Sequence, residues 1–321
     1  MSTDGLLARA GRLLTLGWGF RRPPHAFVLT EDRLVHVSLP REARGAPAGA
    51  RVASRPLPEG TFRPGPGGVP VAGPGLLQAL SALLPAKDRI AAASLAIPDA
   101  FVRSAVVDVE PGAEKNAREL ADVVKWKVGR LWGEPVPPLR VSFSPAGKSA
   151  DGGTRLLVLS AAEETVASCE AAFAARGVRI GALEPAALAL SALAAPALAG
   201  TGLVVFSDGP SVSTVYLDGG SVRFLRTRDV ASDPDLALQE VRLSASFVGG
   251  DPGDGPGLDV TAAAVAVPDA APVSTRLRAF REESGGPAPV SLARALRERG
   301  VPLGGDDTAP LVGLGLLMGA E

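Results

Sequence analysis

An α/β fold built from two similar halves is what the sequence predicts, on three observations. Segments with the two-residue period of strands alternate with segments of helical period along most of the chain. A meander of short antiparallel strands opens each half, first over 26–39 and again over 202–230. The 321 residues also exceed what one hydrophobic core usually organises, so two domains, or one domain with an insertion, are expected.

Residues 26–39, AFVLTEDRLVHVSL, predict a hairpin: two apolar runs flank the polar turn Thr30, Glu31, Asp32 and Arg33. Residues 41–75 are rich in Gly, Pro, Ala and Arg, including GTFRPGPGGVP, and are expected to form a loop or linker. GLLQALSALL predicts a helix over 75–84, stopped by Pro85. RIAAASLAI (89–97) has the composition of a buried strand, and FVRSAVVDVEP (101–111) of another. A long helix follows from Glu114 to Trp132, with Leu120, Val123, Val124, Val128 and Leu131 as its expected apolar stripe, and GEPVPP ends it. Strands LRVSFSP (139–145) and RLLVLSA (155–161) flank a turn at Asp151, Gly152 and Gly153. A helix over 163–176 is closed by Gly177, and the strand 178–185 leads into an Ala/Leu helix over 186–198.

The second half restarts with GLVVFSDG (202–209), STVYLDGG (213–220) and SVRFLRTRDV (221–230), with Asp218 and Gly219 at a turn. A helix over 235–247, a Gly/Pro/Asp loop over 249–257, a strand over 258–267 and a helix over 272–282 are expected next. PVSLARALRERG and the apolar, helical tail APLVGLGLLMGAE close the sequence.

Composition excludes several functions. A net charge of -1 offers no nucleic-acid face. The single cysteine, Cys169, cannot form an internal disulfide, which fits a reducing, cytosolic compartment. Its apolar setting, with only His25 and His36 as histidines and both far away in sequence, makes it a core residue rather than a nucleophile. No stretch approaches the roughly 18–20 apolar residues that span a bilayer. In the first 24 residues, Leu6, Leu7, Ala10, Leu13, Leu14 and Trp18 fall at helical spacing, with Arg9 and Arg12 elsewhere on the wheel. Two readings of this basic amphipathic segment stand: contact with a membrane surface or partner, or docking on the protein's own core.

Five stretches together carry a resemblance. They are SLAIPDAFVRSAVVDVEP (94–111), ARELADVVKWKVGRLWGEPVPPLRVSF (117–143), RLLVLSAAEETVASCEAAFAARGVRIGALEPAALAL (155–190), GLVVFSDGPSVSTVYLDGGSVRFLRTRDV (202–230) and APLVGLGLLMGA (309–320). In this order they resemble the actin-like ATPase superfamily, within it the PilM family of type IV pilus assembly, and more distantly the GspL-type cytoplasmic domains of type II secretion. The resemblance implies a two-lobed actin-like (ribonuclease H-like) fold with an inserted small α+β subdomain. Its divisions would be an N-terminal segment (1–24), a first lobe (25–97), the insertion (98–178), a return to the first lobe (179–200), a second lobe (201–290) and a closing segment (291–321).

Nucleotide binding in that superfamily uses an Asp-x-Gly hairpin at the start of each half and a Gly-Gly turn late in the second. The hairpins aim backbone N–H groups at phosphates and an Asp at a metal, and the late turn lets the backbone approach the adenosine. The first hairpin tip here has no glycine, and its Glu31 and Asp32 would repel phosphate. The second keeps Asp208, Gly209, Ser211 and Ser213, the residual candidates for a nucleotide site. Matching Asp218 and Gly219 to the family's next turn puts Val205, not Asp208, at the metal aspartate's place, and Pro210 removes a backbone donor. The late turn reads Pro268, Asp269, Ala270, Ala271 and Pro272, without glycine.

The resemblance therefore implies a non-catalytic scaffold of a type IV pilus or type II secretion platform, cytoplasmic and peripheral at the inner membrane, with no cofactor expected. Its implied partner is the cytoplasmic tail of a PilN-like single-span membrane protein, held in a groove that residues 94–145 help to form. Two alternatives remain: an active actin-like ATPase using residues 205–213 with ATP and Mg²⁺, and a sugar-kinase-like enzyme needing a catalytic Asp in a cleft. Trp126 and Trp132 are either an aromatic contact for a partner or core residues. Lys125, Lys127 and Arg130 read as a solvated face, and Asp251, Asp254, Asp306 and Asp307 as loop-solubilising charges. The sequence has no dinucleotide fingerprint, metal-spaced His/Cys cluster or nucleophile elbow.

Overall fold

A computed structural model describes residues 23–39, 49–65, 68–84, 90–112, 116–132, 138–149, 151–207, 210–249, 265–267, 272–283, 285, 287–298 and 308–318. In the first half come strands β1 (His25–Leu29), β2 (Arg33–Ser38), β3 (Arg51–Pro56), β4 (Phe62–Pro64) and β5 (Pro70–Ala72), helix α1 (Pro74–Leu83) and strand β6 (Ala92–Ile97). A 3-10 turn (Asp99–Phe101) leads to β7 (Val102–Val109), α2 (Ala117–Trp132), β8 (Leu139–Lys148), β9 (Thr154–Ala162), α3 (Glu163–Ala174), β10 (Arg179–Pro185) and α4 (Ala186–Ala197). The second half has β11 (Gly202–Ser207), β12 (Ser211–Asp218), β13 (Ser221–Asp229), α5 (Pro234–Gly249), β14 (Val265–Val267), α6 (Pro272–Glu283), β15 (Val290–Ser291), α7 (Leu292–Arg297) and α8 (Ala309–Met318).

Two five-stranded sheets share one topology. Their orders are β10-β6-β1-β2-β3 and β15-β14-β11-β12-β13. In each, three antiparallel strands form a meander, and two later strands add in parallel beside the first. Strand alternation sorts the side chains of β1 and β2 into two cores. Ala26, Val28, Val35 and Val37 face the centre of the molecule, while Phe27, Leu29 and Leu34 face α1 and α3. Both faces are thus covered, which is why these strands read as nearly continuous apolar runs.

The expected loop over 41–75 is corrected at 51–72. Here β3 pairs with β2 from Arg33↔Pro56 to Ser38↔Arg51, and β4 pairs with β5. β3 is an edge strand, mostly exposed, whose RVASRP sequence has arginines and a terminal proline. It is held by ladder hydrogen bonds rather than by an apolar face, so no hydrophobic alternation announces it. The β12–β13 turn follows expectation: Gly219 and Gly220 have φ of 56° and 76°, as a two-residue hairpin turn requires.

Between β6 and β10, strands β7, β9 and β8 form a separate antiparallel sheet. One face, with Val107, Val109, Phe143, Leu156 and Val158, packs on Leu120, Val124 and Val128 of α2. The other face, with Val106, Leu157 and Leu159, joins the central core beside Leu225 of β13. There Ser104 Oγ donates a 2.5 Å hydrogen bond to the Leu225 carbonyl. The stripe expected on α2 is corrected at its margins, because Val123 and Leu131 are exposed. Val123 lies off the buried azimuth, and Leu131 sits in the last turn, past the buried run. α3 places Cys169 and Phe173 in the first-sheet core, with Phe173 edge-on to Phe27. Gly177 (φ 71°) closes α3 as expected, and Val178 N–H returns to the Phe173 carbonyl.

The last helices of the two halves are exchanged. α4 follows β10 of the first sheet yet packs on β11 and β12 of the second. α8 ends the second half yet packs on β1, β2 and β6 of the first, and against α4. Glycines permit this closeness: a Cβ on Gly315 would overlap the Ala189 carbonyl oxygen, and one on Gly313 would lie 2.9 Å from Val37 Cβ.

Candidate functional site

In both sheets the meander hairpin tip is the element to which the sequence resemblance assigns phosphate binding. The first tip is closed on itself. Thr30 N–H donates to the Arg33 carbonyl at 3.0 Å, and Arg33 N–H donates to Thr30 Oγ1 at 3.2 Å. Thr30 Oγ1 also donates to Asp32 Oδ1 at 2.8 Å, and the Asp32 carbonyl accepts from Leu57 N–H of the β3 end at 2.7 Å. The exposed Glu31 and Asp32 carboxylates give this tip negative charge.

At the second tip, Asp208 and Gly209 lie outside the described residues. Ser207 Oγ donates to the Ser211 carbonyl at 2.8 Å, and the Pro210 carbonyl accepts from Val230 N–H at 2.7 Å. Ser211 is buried, and so is Ser213, whose hydroxyl lies 2.8 Å from Thr227 Oγ1 across the β12–β13 pair. Val205 is fully buried in the core under α5. Beside this hairpin, Ser207, Val230, Ser232, Asp233, Pro234, Ala237 and Val273 line a depression of about 90 Å³. Small-molecule sites usually enclose about 300–1,000 Å³, so these residues alone leave room for a few waters. Asp233 Oδ1 caps α5, accepting from the backbone N–H groups of Asp235 and Leu236. The late turn at Pro268, Asp269, Ala270 and Ala271 lies outside the described residues, as do Asp251, Asp254, Asp306, Asp307 and the amphipathic stripe within 1–22.

Sequence reasoning missed Asp99. It sits at the end of β6, fully buried, and its Oδ1 accepts from Ala187 N–H at 3.1 Å, capping α4. The partner is 88 residues away along the chain, so no local pattern marks the pair. A cleft carboxylate free to serve as the base of a sugar kinase would need a different arrangement, since this one holds a helix terminus.

Trp126 and Trp132 separate. Trp132 is half-buried against the core of the inserted sheet, with the Arg103 guanidinium 5.8 Å from its ring. Trp126 is exposed, with the Arg130 guanidinium 5.2 Å over its ring. A second exposed apolar stripe, Leu236, Leu243 and Phe247, runs along α5. Cys169 is the core residue expected, and burial pushes its thiol up to about 12. His25 and His36 meet across β1 and β2, with ring nitrogens 3.1 Å apart. Arg140 of β8 is held by Glu163 and Glu170 of α3, whose carboxylates raise its pKa further.

Among the described residues no helix is long and apolar enough to cross a membrane. No protein-family model matches the chain. No curated protein matches its sequence. Solved structures do match. A chain of the PilM–PilN type IV pilus biogenesis complex aligns with a TM-score of 0.66 and 18% identity, over 93% of this chain and 98% of that one. The cytoplasmic domain of EpsL, an inner-membrane component of the type II secretion system of Vibrio cholerae, aligns at 0.45 and 14%, over 76% and 81%. The ethanolamine utilization protein EutJ from Carboxydothermus hydrogenoformans aligns at 0.43 and 15%, over 99% and 100%. The duplicated sheets, the inserted β7–β9–β8 unit and the first of these alignments together establish that this chain has the actin-like fold, in the form found in the PilM–PilN complex.

Proposed function

We propose that the chain is a non-catalytic actin-like scaffold in the inner-membrane platform of a type IV pilus or type II secretion system. In this role it binds the cytoplasmic tail of a PilN-like membrane protein. The observation that carries the reading is the near end-to-end alignment with a chain of the PilM–PilN complex, inserted sheet included. The tail would lie beside that inserted sheet, in a groove to which residues 94–145 contribute, and would bind there by apolar capture or strand addition. The non-catalytic part of the proposal is supported by the self-closed Thr30–Arg33 tip, by Val205 where a metal aspartate is expected, and by the use of Ser213 in a cross-strand hydrogen bond. A pull-down from detergent-solubilised membranes tests the partner. Recovery of a single-span protein with a short cytoplasmic tail, and binding of that tail as a synthetic peptide, is expected. Failure of any such protein to co-purify would overturn the reading.

A further inference from the structure

We infer that the outer face of α2 is a docking surface for an anionic lipid bilayer. The helix is the outermost of three layers. It buries Leu120, Val124 and Val128 against one face of the β7–β9–β8 sheet, and the other face of that sheet packs toward β13. Apolar groups stand in the open away from this stripe, with Val123 37% exposed and Trp126 59%, and Leu131, on the buried azimuth but in the last turn past the buried run, is 59% exposed. Cations are interleaved with them. Residues 123–132 contain Lys125, Lys127 and Arg130 and no acidic residue, while Glu119 and Asp122 lie in the earlier turns. Among the described residues none of these three cations is in an ion pair. Arg103 adds a fourth positive charge at the same end, over Trp132.

Charge and shape select the occupant. Cations around exposed Trp and Leu match an anionic interface, where the indole and aliphatic groups reach the headgroup level and the cations meet lipid phosphate. The surface is the convex back of one helix. An acidic peptide would gain most in a groove, which a lone helix docked by its opposite face does not supply. The charge asymmetry also sets the orientation, with the C-terminal half of α2 toward the lipid. The α5 stripe of Leu236, Leu243 and Phe247 lacks this charge pattern: among its neighbours, Glu240 is paired with Arg226 and Asp235 with Arg276. The inference stands apart from the partner-tail reading, so each can fail alone.

The test is co-sedimentation of the full chain with vesicles of phosphatidylcholine, with and without phosphatidylglycerol, alongside tryptophan emission. The chain should sediment only with the anionic vesicles and release as salt rises, and its emission should shift to the blue. Trp126→Phe should remove that shift. Each cation near an anionic surface strengthens binding about fivefold, so Lys125→Glu/Lys127→Glu/Arg130→Glu should weaken it about 100-fold or more. Leu236→Ser/Leu243→Ser on α5 should leave it unchanged. Lys125 and Arg130 are exposed and Lys127 is half-buried, and unchanged circular dichroism would verify the fold. Absence of sedimentation, equal binding to neutral vesicles, or undiminished binding by the triple variant would each overturn the proposal.

Discussion

Gly315→Ala tests the packing of the exchanged helices, because two physical effects predict opposite signs. In the interior of a helix, replacing Gly by Ala ordinarily stabilises by about 1 kcal/mol, since glycine loses more backbone freedom on folding. At position 315 the added Cβ meets backbone instead of space. It would overlap the Ala189 carbonyl oxygen and sit 2.6 Å from its carbon, against the 3.4 Å at which ordinary contact begins. Neither atom belongs to a side chain that can rotate away, so α8 and α4 must part by most of an ångström. Both helices are buried in the core that joins the two sheets. Overpacking a closed core costs about 1–3 kcal/mol and sometimes more. Backbone contact belongs at the upper end, so about 1–2 kcal/mol of net loss remains after the propensity gain. That corresponds to a fall in Tm of about 2–8 °C. Gly129 in α2 provides the control, because a Cβ there meets nothing within 4 Å. Gly129→Ala should therefore raise stability by up to about 1 kcal/mol. Thermal and urea unfolding followed by circular dichroism would read both. Equal stabilisation by the two substitutions would refute the close approach of α8 to α4.

Cys169 should resist a thiol reagent at pH 8 until the chain is unfolded, since the buried group ionises only near 12, and rapid labelling of the native protein would contradict its burial. Its pH linkage has a definite sign. The unfolded thiol loses its proton near 9 and the folded one near 12, so its contribution is fully present below about 9 and is lost as pH rises toward 12. Cys169→Ala should therefore show a shallower alkaline loss of stability than the parent chain, and identical slopes would contradict the linkage. Asp99→Ala removes the cap of α4 and leaves Ala187 N–H buried without it, for an expected loss of about 1–3 kcal/mol in urea unfolding; a neutral result would mean that the cap carries no energy.

Much of the fold is legible in the sequence because both sheets are buried on both faces. Runs such as AFVL and GLVVF must then be apolar throughout, and their repetition after Thr201 exposes the duplication. What was not legible is held by distant partners or by backbone. β3 is an exposed edge kept in place by its ladder to β2. The placement of α8 depends on contacts with β1, β2, β6 and α4, more than a hundred positions away, and α8 is apolar all round, so its pattern cannot say which sheet it covers. The candidate site was partly legible. The sequence shows that the Thr30–Arg33 tip has no glycine and two acids, but not that Thr30 N–H is taken up by the Arg33 carbonyl. The sequence cannot show that Thr227 stands opposite Ser213 and shares a hydrogen bond with it. Trp126 and Trp132 differ in burial because only one of the two azimuths on α2 reaches the sheet.

The central proposal is that this chain, which has the actin-like fold, does not bind ATP. Calorimetric titration of the purified chain with ATP and Mg²⁺ tests it most directly. The account predicts no saturable heat. Saturable binding at micromolar ATP, abolished by Asp208→Ala, would contradict it and restore the second hairpin as a working phosphate site.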